Sequence, residues 1–385
     1  MAWSKFDKFK LDNQTITIPT VIIFLAILFS IVSFCLSFLL VPMVLKLSEK
    51  FGFSDDPNSA PHRKIQSSAI PLMGATSFIL TSIFLMGTLW LANKFDWFSL
   101  RFYLQNNLES FKLIWILVSI LMLAIAGALD DLNKISTKYR FLLVGLAILT
   151  SIFLGGLKIS ALSAPFNSLP VNILFLPQVL AFLWLGFCLF ATKLLDGLDG
   201  LVSTIGIIAF FTIASISTLP SVNQPLIFLF ALIWAFGIMG FLPFNFPNAK
   251  IYLGDGGSMI VGFMVGVLSI LSGAKIATAA TVLGWFILDV FVVWFIRLLQ
   301  KQNPLTTGDR NHWHHRLLGL GMDKRQVLIL TTILVIFTAQ LGILLNTEQK
   351  VLIPIFQFSF ILVSLGFSWY RKNKIGRTSS LKKLA

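Results

Sequence analysis

The segment KLLDGLDGL, residues 193–201, joins two strongly apolar stretches at residues 173–190 and 201–219. Both reach the roughly 18 residues at which an apolar run predicts a membrane-spanning helix. Asp196 and Asp199, each followed by glycine, therefore lie where two predicted helices meet a membrane surface. Carboxylates at the edge of the hydrocarbon region are costly unless they are paired, hydrated or bound to a cation. The segment therefore predicts a polytopic membrane protein with a polar site at one membrane face.

The apolar pattern recurs along the whole chain. Of its 385 residues, 56% are hydrophobic and 12% are charged, whereas soluble globular proteins have roughly 25% charged residues. We predict an all-α, polytopic integral membrane protein with about eleven transmembrane helices, or ten because several runs are short. The predicted spans are residues 18–45, 71–92, 113–129, 141–154, 173–190, 201–219, 226–243, 259–271, 276–296, 327–345 and 351–369.

The basic residues are distributed unevenly over the predicted topology. The loops assigned to one side, together with the tail at residues 370–385, carry 21 of the 30 Lys and Arg residues. Since loops rich in Lys and Arg stay in the cytoplasm, that side is predicted to be cytoplasmic, and residues 1–17 form an extracytoplasmic tail. Residues 1–385 thus form one domain in the inner (plasma) membrane. We expect no nucleic-acid partner, because no soluble module accompanies the formal charge of +14.

Five carboxylates are brought to the predicted cytoplasmic face by topology alone. Hard oxygen ligands of this kind suit Mg²⁺, which usually binds one or two carboxylates together with substrate phosphates. The pattern therefore indicates phosphate chemistry at the membrane surface. The acids occur in the helix-end segments GALDDLNKISTKYR, KLLDGLDGL and IYLGDGGSM, and are Asp130, Asp131, Asp196, Asp199 and Asp255.

Each of these segments also has a purely structural interpretation. Asp130 and Asp131 could simply end a helix, with nearby Lys and Arg side chains as solvated partners. Asp196 could cap the helix that follows it. GDGGS could be a turn with an N-cap; it is not a phosphate-binding P-loop, because no Lys-Ser or Lys-Thr follows it. The functional interpretation depends on the three segments sharing one face.

A fourth cytoplasmic segment, TGDRNHWHHRLLGLGMDKR at residues 307–325, holds three of the four His residues of the chain. Imidazole and guanidinium groups above a carboxylate site favour the binding of a diphosphate. A zinc site is disfavoured because no Cys lies nearby, and the structural alternative is a basic connector at the interface. The candidate side chains are Arg310, His312, His314, His315 and Arg316.

Together these segments resemble the polyprenyl-phosphate N-acetylhexosamine-1-phosphate transferases, the MraY/WecA-like membrane enzymes. The resemblance extends from about residue 55 to residue 325, with the motifs in the family's order. Single motifs are loose, but five in order across a polytopic chain are specific. They are DDPNSAPHRK at 55–64, GALDDLNKISTKYRF at 127–141, KLLDGLDGL at 193–201, FLPFNFPNAKIYLGDGGS at 241–258 and DRNHWHHRLL at 309–318.

The resemblance implies that UDP-N-acetylhexosamine and polyprenyl phosphate give polyprenyl-diphospho-sugar and UMP with Mg²⁺, or with Mn²⁺ as the alternative ion. The nucleotide sugar and the lipid would be the partners, and a homodimer is one assembly to expect. Asp255 would bind the metal. The acceptor phosphate would be served by Asp130 and Asp131, and Asp196 would lie beside the reacting phosphates. Substrate binding is assigned to Lys134, Arg140, Lys193, Asn245, Arg310, His312, His314 and His315, and a supporting role to Asp199, Gly254 and Ser258.

The chain departs from the family pattern at three places. Gln66 stands where the family usually has His, Gly74-Ala75 replaces a Gly-Gly pair, and Lys193 replaces an Asn three residues before Asp196. Positions three apart on a helix share a face, so we expect Lys193 to contact Asp196 or the donor diphosphate. The structural alternative is a side chain that extends to the lipid headgroups.

Two reaction routes and two rival functions stay open. The lipid phosphate could attack the sugar-bearing phosphorus directly, or Asp196 or Asp131 could form a covalent intermediate. Within the family, the phospho-N-acetylmuramoyl-pentapeptide translocases tend towards three consecutive His residues, so HWHHR favours an N-acetylglucosamine donor. An ion-coupled transporter would place ionisable residues near the bilayer midplane, whereas Asp289 is the one acid inside a predicted span.

Overall fold

The computed structural model is built almost entirely from helices. Because hydrocarbon offers no partner for backbone N–H and C=O groups, an apolar run in a membrane satisfies them within its own helix. The described residues are 9–11, 14–16, 20–55, 69–97, 113–132, 135–159, 161–162, 169–170, 174–272, 276–301, 312–346 and 348–384.

Twelve α-helices occur in the described part of the chain. They are α1 (Thr20–Lys50), α2 (Thr76–Lys94), α3 (Leu113–Asp131), α4 (Thr137–Leu149), α5 (Leu176–Leu195), α6 (Leu201–Ser217), α7 (Pro225–Asn245), α8 (Asp255–Leu271), α9 (Ile276–Leu299), α10 (Trp313–Gly319), α11 (Lys324–Leu344) and α12 (Leu352–Leu384).

Nine helical segments of the described chain are long and apolar enough to cross a membrane. Two further apolar helices, α6 and α8, have 17 residues each. The predicted class, an all-α polytopic membrane protein, is confirmed, while the exact number of spans and their sidedness stay predictions. Helix α4 continues through a π-helical turn at Thr150–Leu154. Helix α12 continues through most of the segment that was predicted as a basic tail.

Extended chain is limited, within the described residues, to three short antiparallel pairs. A 3₁₀ turn at Gln349–Val351 precedes α12. The paired strands are β1 (Phe9–Leu11) with β2 (Gln14–Ile16), β3 (Ser54–Asp55) with β4 (Ile70–Pro71), and β5 (Ala161–Leu162) with β6 (Leu169–Pro170).

Helix α8 forms the centre of the bundle. Its residues 256–270 are all buried, and it packs against α3, α5 and α6. Helix α7 packs against α1, α2 and α6. Close approach of membrane helices favours small residues at the contact, and a side chain at Gly262 would collide with Cys188 and Thr192 of α5. The outer helices α1 and α12 expose large apolar side chains, as expected of surfaces that face lipid.

A contact between two glycines brings the end of α3 to the start of α8. A Cβ atom at Gly127 would collide with the backbone of Gly256. Helix α8 begins at Asp255, four residues before the predicted span, because Gly254 turns the chain with a φ of +82°. That left-handed conformation is open to glycine at little cost. The glycine contact therefore places the carboxylates at the end of α3 next to Asp255.

Candidate active site

The ends of α3 and α5 and the start of α8 form a cluster of charged side chains. Asp130 and Asp131 end α3, Lys193 lies in the last turn of α5, and Asp255 begins α8. Asp196 follows the end of α5. These elements lie far apart in sequence and are joined through the central packing of α8. The predicted convergence of the three acidic segments is present in the structure.

The ammonium of Lys193 links two of these carboxylates. Its Nζ donates to Asp130 Oδ2 at 2.7 Å and to Asp255 Oδ2 at 2.8 Å. The predicted contact with Asp196 was wrong, while the alternative, a contact with the donor diphosphate, stays a prediction. Helix α5 ends at Leu195, so Asp196 leaves the helical face that Lys193 would have shared with it. The inward contacts also exclude a side chain that reaches towards the lipid headgroups.

Two further contacts fix the carboxylates at the end of α3. Arg140 Nη1 donates to Asp130 Oδ1 at 2.7 Å and to Asp130 Oδ2 at 2.6 Å. The backbone N–H of Asp255 donates to Asp131 Oδ1 at 3.0 Å. That N–H is at the start of a helix, where backbone donors and the helix dipole favour negative charge. Asp130, Asp131 and Asp255 are therefore held by one network.

Asp196 lies at the open side of the cluster. It caps the C-terminal end of α5, whereas Gly200 provides the N-cap of α6, so the structural alternative, in which Asp196 caps the following helix, does not hold. Desolvation by the surrounding protein, and then the charges of Asp255 and Asp131, raise the pKa of Asp196 to about 7. Because the residue also has exposed surface, water tempers this desolvation. A hydrogen bond from Ser258 lowers the same pKa.

The histidine segment, residues 312–316, lies against the DGLDG turn, residues 196–200. His312 is the N-cap of α10, and His314 and His315 lie in the helix, with their ring centroids 4.3 Å apart. A Cβ atom at Gly197 would stand 2.8 Å from His314 Nε2. This buried nitrogen has no hydrogen-bond partner among the described residues. Burial, and then the neighbouring cationic groups, hold the pKa of His314 well below its usual range, so the ring is neutral at pH 7.

Comparison with known proteins gives the same assignment as the motifs. The sequence model of glycosyl transferase family 4 matches residues 113–273. The probable undecaprenyl-phosphate N-acetylglucosaminyl 1-phosphate transferase of Bacillus subtilis (strain 168) is 30% identical over 316 residues, which cover 80% of this chain and 82% of the relative. The chain belongs to glycosyl transferase family 4. The resemblance to the MraY/WecA-like transferases is confirmed, and the protein is a membrane phosphotransferase.

Two other relatives come from different branches of the family. The undecaprenyl-phosphate alpha-N-acetylglucosaminyl 1-phosphate transferase of Escherichia coli (strain K12) is 26% identical over 346 residues, covering 86% of this chain and 88% of the relative. The phospho-N-acetylmuramoyl-pentapeptide-transferase of Staphylococcus aureus (strain bovine RF122 / ET3-1) is 25% identical over 313 residues, covering 76% and 90%. Both the larger identity and the longer match to this chain are with the N-acetylglucosaminyl transferases.

Asp289 contacts the histidine segment, although the sequence reasoning did not place it in the site. It is 2% exposed and holds the histidine segment from α9. Its Oδ1 accepts from the backbone N–H of Trp313 at 2.9 Å and from Arg316 Nη2 at 2.7 Å. Its Oδ2 lies 2.9 Å from His312 Nδ1. The available signal was its place as the one acid inside a predicted span, since such residues are commonly functional.

An aromatic cluster fixes the same segment from another side. The ring of Trp313 stacks on Trp285 of α9 with centroids 5.8 Å apart. Phe360 of α12 meets Trp313 edge-on at 6.2 Å. Aromatic contacts of this kind add to the free energy of burying the rings. The short helix α10 is therefore anchored on both α9 and α12.

Asn245 and Asp199 lie behind the charged cluster. Asn245 is buried; its Oδ1 accepts from Ser203 Oγ at 2.8 Å and its Nδ2 donates to the carbonyl of Ile251 at 3.1 Å. These contacts hold the chain that leads to Asp255, and the predicted substrate contact of Asn245 stays a prediction. Asp199 accepts from Lys324 Nζ at 3.0 Å and from two backbone N–H groups, those of Asn248 and Ala249. Its predicted supporting role fits this geometry.

Several predicted site residues lie outside the described part of the chain. They include two cations with predicted substrate contacts and most of the first motif. These are Lys134, Arg310 and residues 56–64, together with Gln66.

The cluster has the chemistry of a magnesium site. Asp130, Asp131, Asp196 and Asp255 face Lys193 and Arg140, which leaves two negative charges when every carboxylate is ionised. Within the described residues, no three His, Cys, Asp or Glu side chains already stand in the positions of a metal-ligand set. Mg²⁺ needs only one or two carboxylates, because it completes its shell with water and phosphate oxygens. The carboxylates therefore fit this ion.

Proposed function

We propose that this protein transfers N-acetylhexosamine 1-phosphate, with N-acetylglucosamine as the sugar, from the UDP-sugar to polyprenyl (undecaprenyl) phosphate and releases UMP. The observation that carries the proposal is the cluster of four carboxylates and two cations at one end of the bundle, next to the histidine segment. The printed names of the Bacillus subtilis and Escherichia coli relatives support the same donor sugar and lipid.

The nucleophile in this reaction needs little activation. A phosphate monoester has a second pKa near 6, so roughly nine-tenths of a polyprenyl phosphate is dianionic at pH 7. One of its oxygens attacks the sugar-bearing phosphorus, the bond to the uridylyl oxygen breaks, and UMP leaves with that oxygen. The barrier is the approach of two like-charged phosphates. Charge compensation and alignment therefore matter more than a strong base.

The chain's own groups divide this work. Arg140 and Lys193 compensate negative charge and hold Asp130 in place. Burial and the charges of Asp255 and Asp131 raise the pKa of Asp196, and proton uptake by this carboxylate would lower the repulsion that an incoming phosphate meets. His312 and the other histidines of the segment are the candidates for the donor diphosphate, and Asp289 aligns them. Direct attack needs no covalent enzyme intermediate.

The metal would be held by Asp255, with Asp130 or Asp131 beside it. Mg²⁺, or Mn²⁺ in its place, would supply positive charge next to the phosphate oxygens when bound. We place the site on the cytoplasmic face of the plasma membrane, on the basis of the Lys and Arg distribution.

A donor panel with the purified full-length chain tests the proposal. The protein in detergent is given polyprenyl phosphate and MgCl₂ with UDP-N-acetylglucosamine, UDP-N-acetylgalactosamine or UDP-N-acetylmuramoyl-pentapeptide, and UMP is measured. We expect UMP only when the lipid is present, and fastest with UDP-N-acetylglucosamine. Asp255→Asn should abolish the signal, while Asp323→Asn, an exposed acid at the start of α11, should keep it.

Each alternative gives a different result in this assay. Fastest turnover of the pentapeptide donor would assign the chain to the translocase branch. If none of the three donors gives UMP although the protein is folded, the transferase proposal is wrong and a carrier function remains.

A further inference from the structure

The position of the Lys193 ammonium is unusual for a metal-assisted site. Its Nζ lies within 2.8 Å of carboxylate oxygens on two different helices, Asp130 of α3 and Asp255 of α8. The side chain is 16% exposed. A cation that joins two carboxylate oxygens does the electrostatic work of a bridging metal ion. Here that cation is covalently part of the chain.

The contacts around the ammonium explain why a cation is needed there. The two Oδ2 atoms can be no further apart than the sum of their distances to Nζ, so without a cation two negative oxygens would face each other across a short gap. Arg140 compensates only the Asp130 side of this gap. Asp131 adds a further negative group next to Asp255. The cluster would therefore repel itself if Lys193 were neutral.

We propose that Lys193 is a built-in counter-ion that competes with the divalent metal for Asp130 and Asp255. The protein then keeps its site assembled without metal and binds metal more weakly than the same chain with a neutral residue at position 193. When metal and phosphate enter, the ammonium leaves Asp255. Its flexible four-carbon stem lets it move to a phosphate oxygen. The inference rests on the proposed function only in taking Asp255 as a metal ligand.

Metal binding without substrates tests this competition directly. The full-length protein in detergent, stripped with EDTA and dialysed, is titrated with Mn²⁺ while free Mn²⁺ is followed by electron paramagnetic resonance. We expect Lys193→Gln, which keeps the length but loses the charge, to bind Mn²⁺ at least about tenfold more tightly than the wild type. Lys193→Arg keeps the charge and should bind as weakly as the wild type.

Lys324→Gln is the matched control. Lys324 also pairs with a carboxylate, Asp199, at 3.0 Å, but that acid lies behind the cluster. Its loss should leave Mn²⁺ binding unchanged. Equal Mn²⁺ affinities for the wild type and Lys193→Gln, within twofold, would overturn the proposal. The same holds if Lys324→Gln tightens binding as much as Lys193→Gln does.

Thermal unfolding gives a second measurement that does not depend on affinity. In EDTA, Lys193→Met should have a lower Tm than the wild type, and millimolar Mg²⁺ should restore most of the loss. The Tm of the wild type should change little with Mg²⁺. Lys324→Met should lose stability without recovery in Mg²⁺. An unchanged Tm of Lys193→Met in EDTA would contradict the counter-ion role.

These measurements use no turnover, so the two proposals fail separately. If UMP is never released but Lys193→Gln binds Mn²⁺ more tightly, the transferase assignment fails and the counter-ion role stands. If UMP is released but the Mn²⁺ affinities are equal, only the counter-ion role fails.

Discussion

Replacing Asp289 by Asn should weaken the recognition of the nucleotide sugar without a matching effect on the lipid. The carboxylate is almost fully buried and receives contacts from His312, Trp313 and Arg316. Asn has nearly the same size, but it has no charge and it presents an NH₂ group where one acceptor oxygen was. The ring of His312 then loses the partner that holds Nδ1 and so directs Nε2 away from α9.

The size of the effect follows from these contacts. Loss of one charge-assisted hydrogen bond is worth about 1.5–3 kcal/mol, which corresponds to a decrease of about ten- to hundredfold in kcat/KM for the UDP-sugar. The same substitution also removes the negative charge that pairs with the buried Arg316, which costs about 3–5 kcal/mol of folding free energy. The Tm should therefore fall by several degrees even though the fold survives.

Steady-state kinetics with each substrate varied in turn check this prediction. In Asp289→Asn the KM for the UDP-sugar should rise at least about fivefold, while the KM for polyprenyl phosphate stays within twofold. Gln357→Leu is the control. Gln357 of α12 donates to the carbonyl of Thr281, which lies on α9 like Asp289 but eight residues before it. It should leave both KM values unchanged. An unchanged donor KM, or equal rises in both KM values, would refute the role of Asp289.

Three further predictions concern the metal, the pH dependence and the topology. Asp255→Asn should lower kcat/KM at least about a hundredfold, and normal turnover at low Mg²⁺ would show that Asp255 is not a metal ligand. Because the pKa of Asp196 rises from 3.8 to about 7 on folding, its ionised form opposes folding, and this penalty is absent below pH 3.8 and complete above pH 7. Water reaches the exposed side of Asp196, so we expect a penalty of only about 1 kcal/mol. The Tm of Asp196→Asn should therefore exceed that of the wild type by about 1 °C at pH 8 and match it at pH 4, whereas an equal difference at both pH values would show that ionisation of Asp196 is not its cause. In a chain without the native cysteines, Asn248→Cys and Asn311→Cys should be labelled only from the cytoplasm and Asn223→Cys only from outside. Labelling of Asn248→Cys or Asn311→Cys from outside would show that the loops of the site lie on different sides of the membrane.

The charged cluster was predictable in composition but not in its contacts. Topology alone put Asp130, Asp131, Asp196 and Asp255 at one end of the bundle, because each lies next to an apolar run on the same predicted side. Of the two predicted partners of Lys193, Asp196 was wrong. Helical spacing suggested Asp196, but α5 stops one residue before that acid. The distances that decide the partner are set by α3 and α8, not by neighbours in sequence.

The contacts that anchor the histidine segment also could not be predicted from the sequence. Its His and Arg residues stood out in the sequence as a diphosphate-binding candidate, and the structure sets them against the DGLDG turn. Asp289 lies more than twenty residues before His312, and no periodicity links the two. Only the folded chain shows that a buried carboxylate on α9 holds this segment, because the contact depends on how α9 and α10 pack.

The sequence by itself determined the class of the protein, its family and the identity of the site's acids. Long apolar runs must become helices in hydrocarbon, where a backbone group without a partner is costly, and the motifs mark where those helices end. Only the tertiary structure decided which charges meet. The contact of Gly127 with Gly256 brings Asp130 and Asp255 within reach of one flexible ammonium. A distance between side chains on separate helices depends on packing, and helix spacing along one chain cannot supply it.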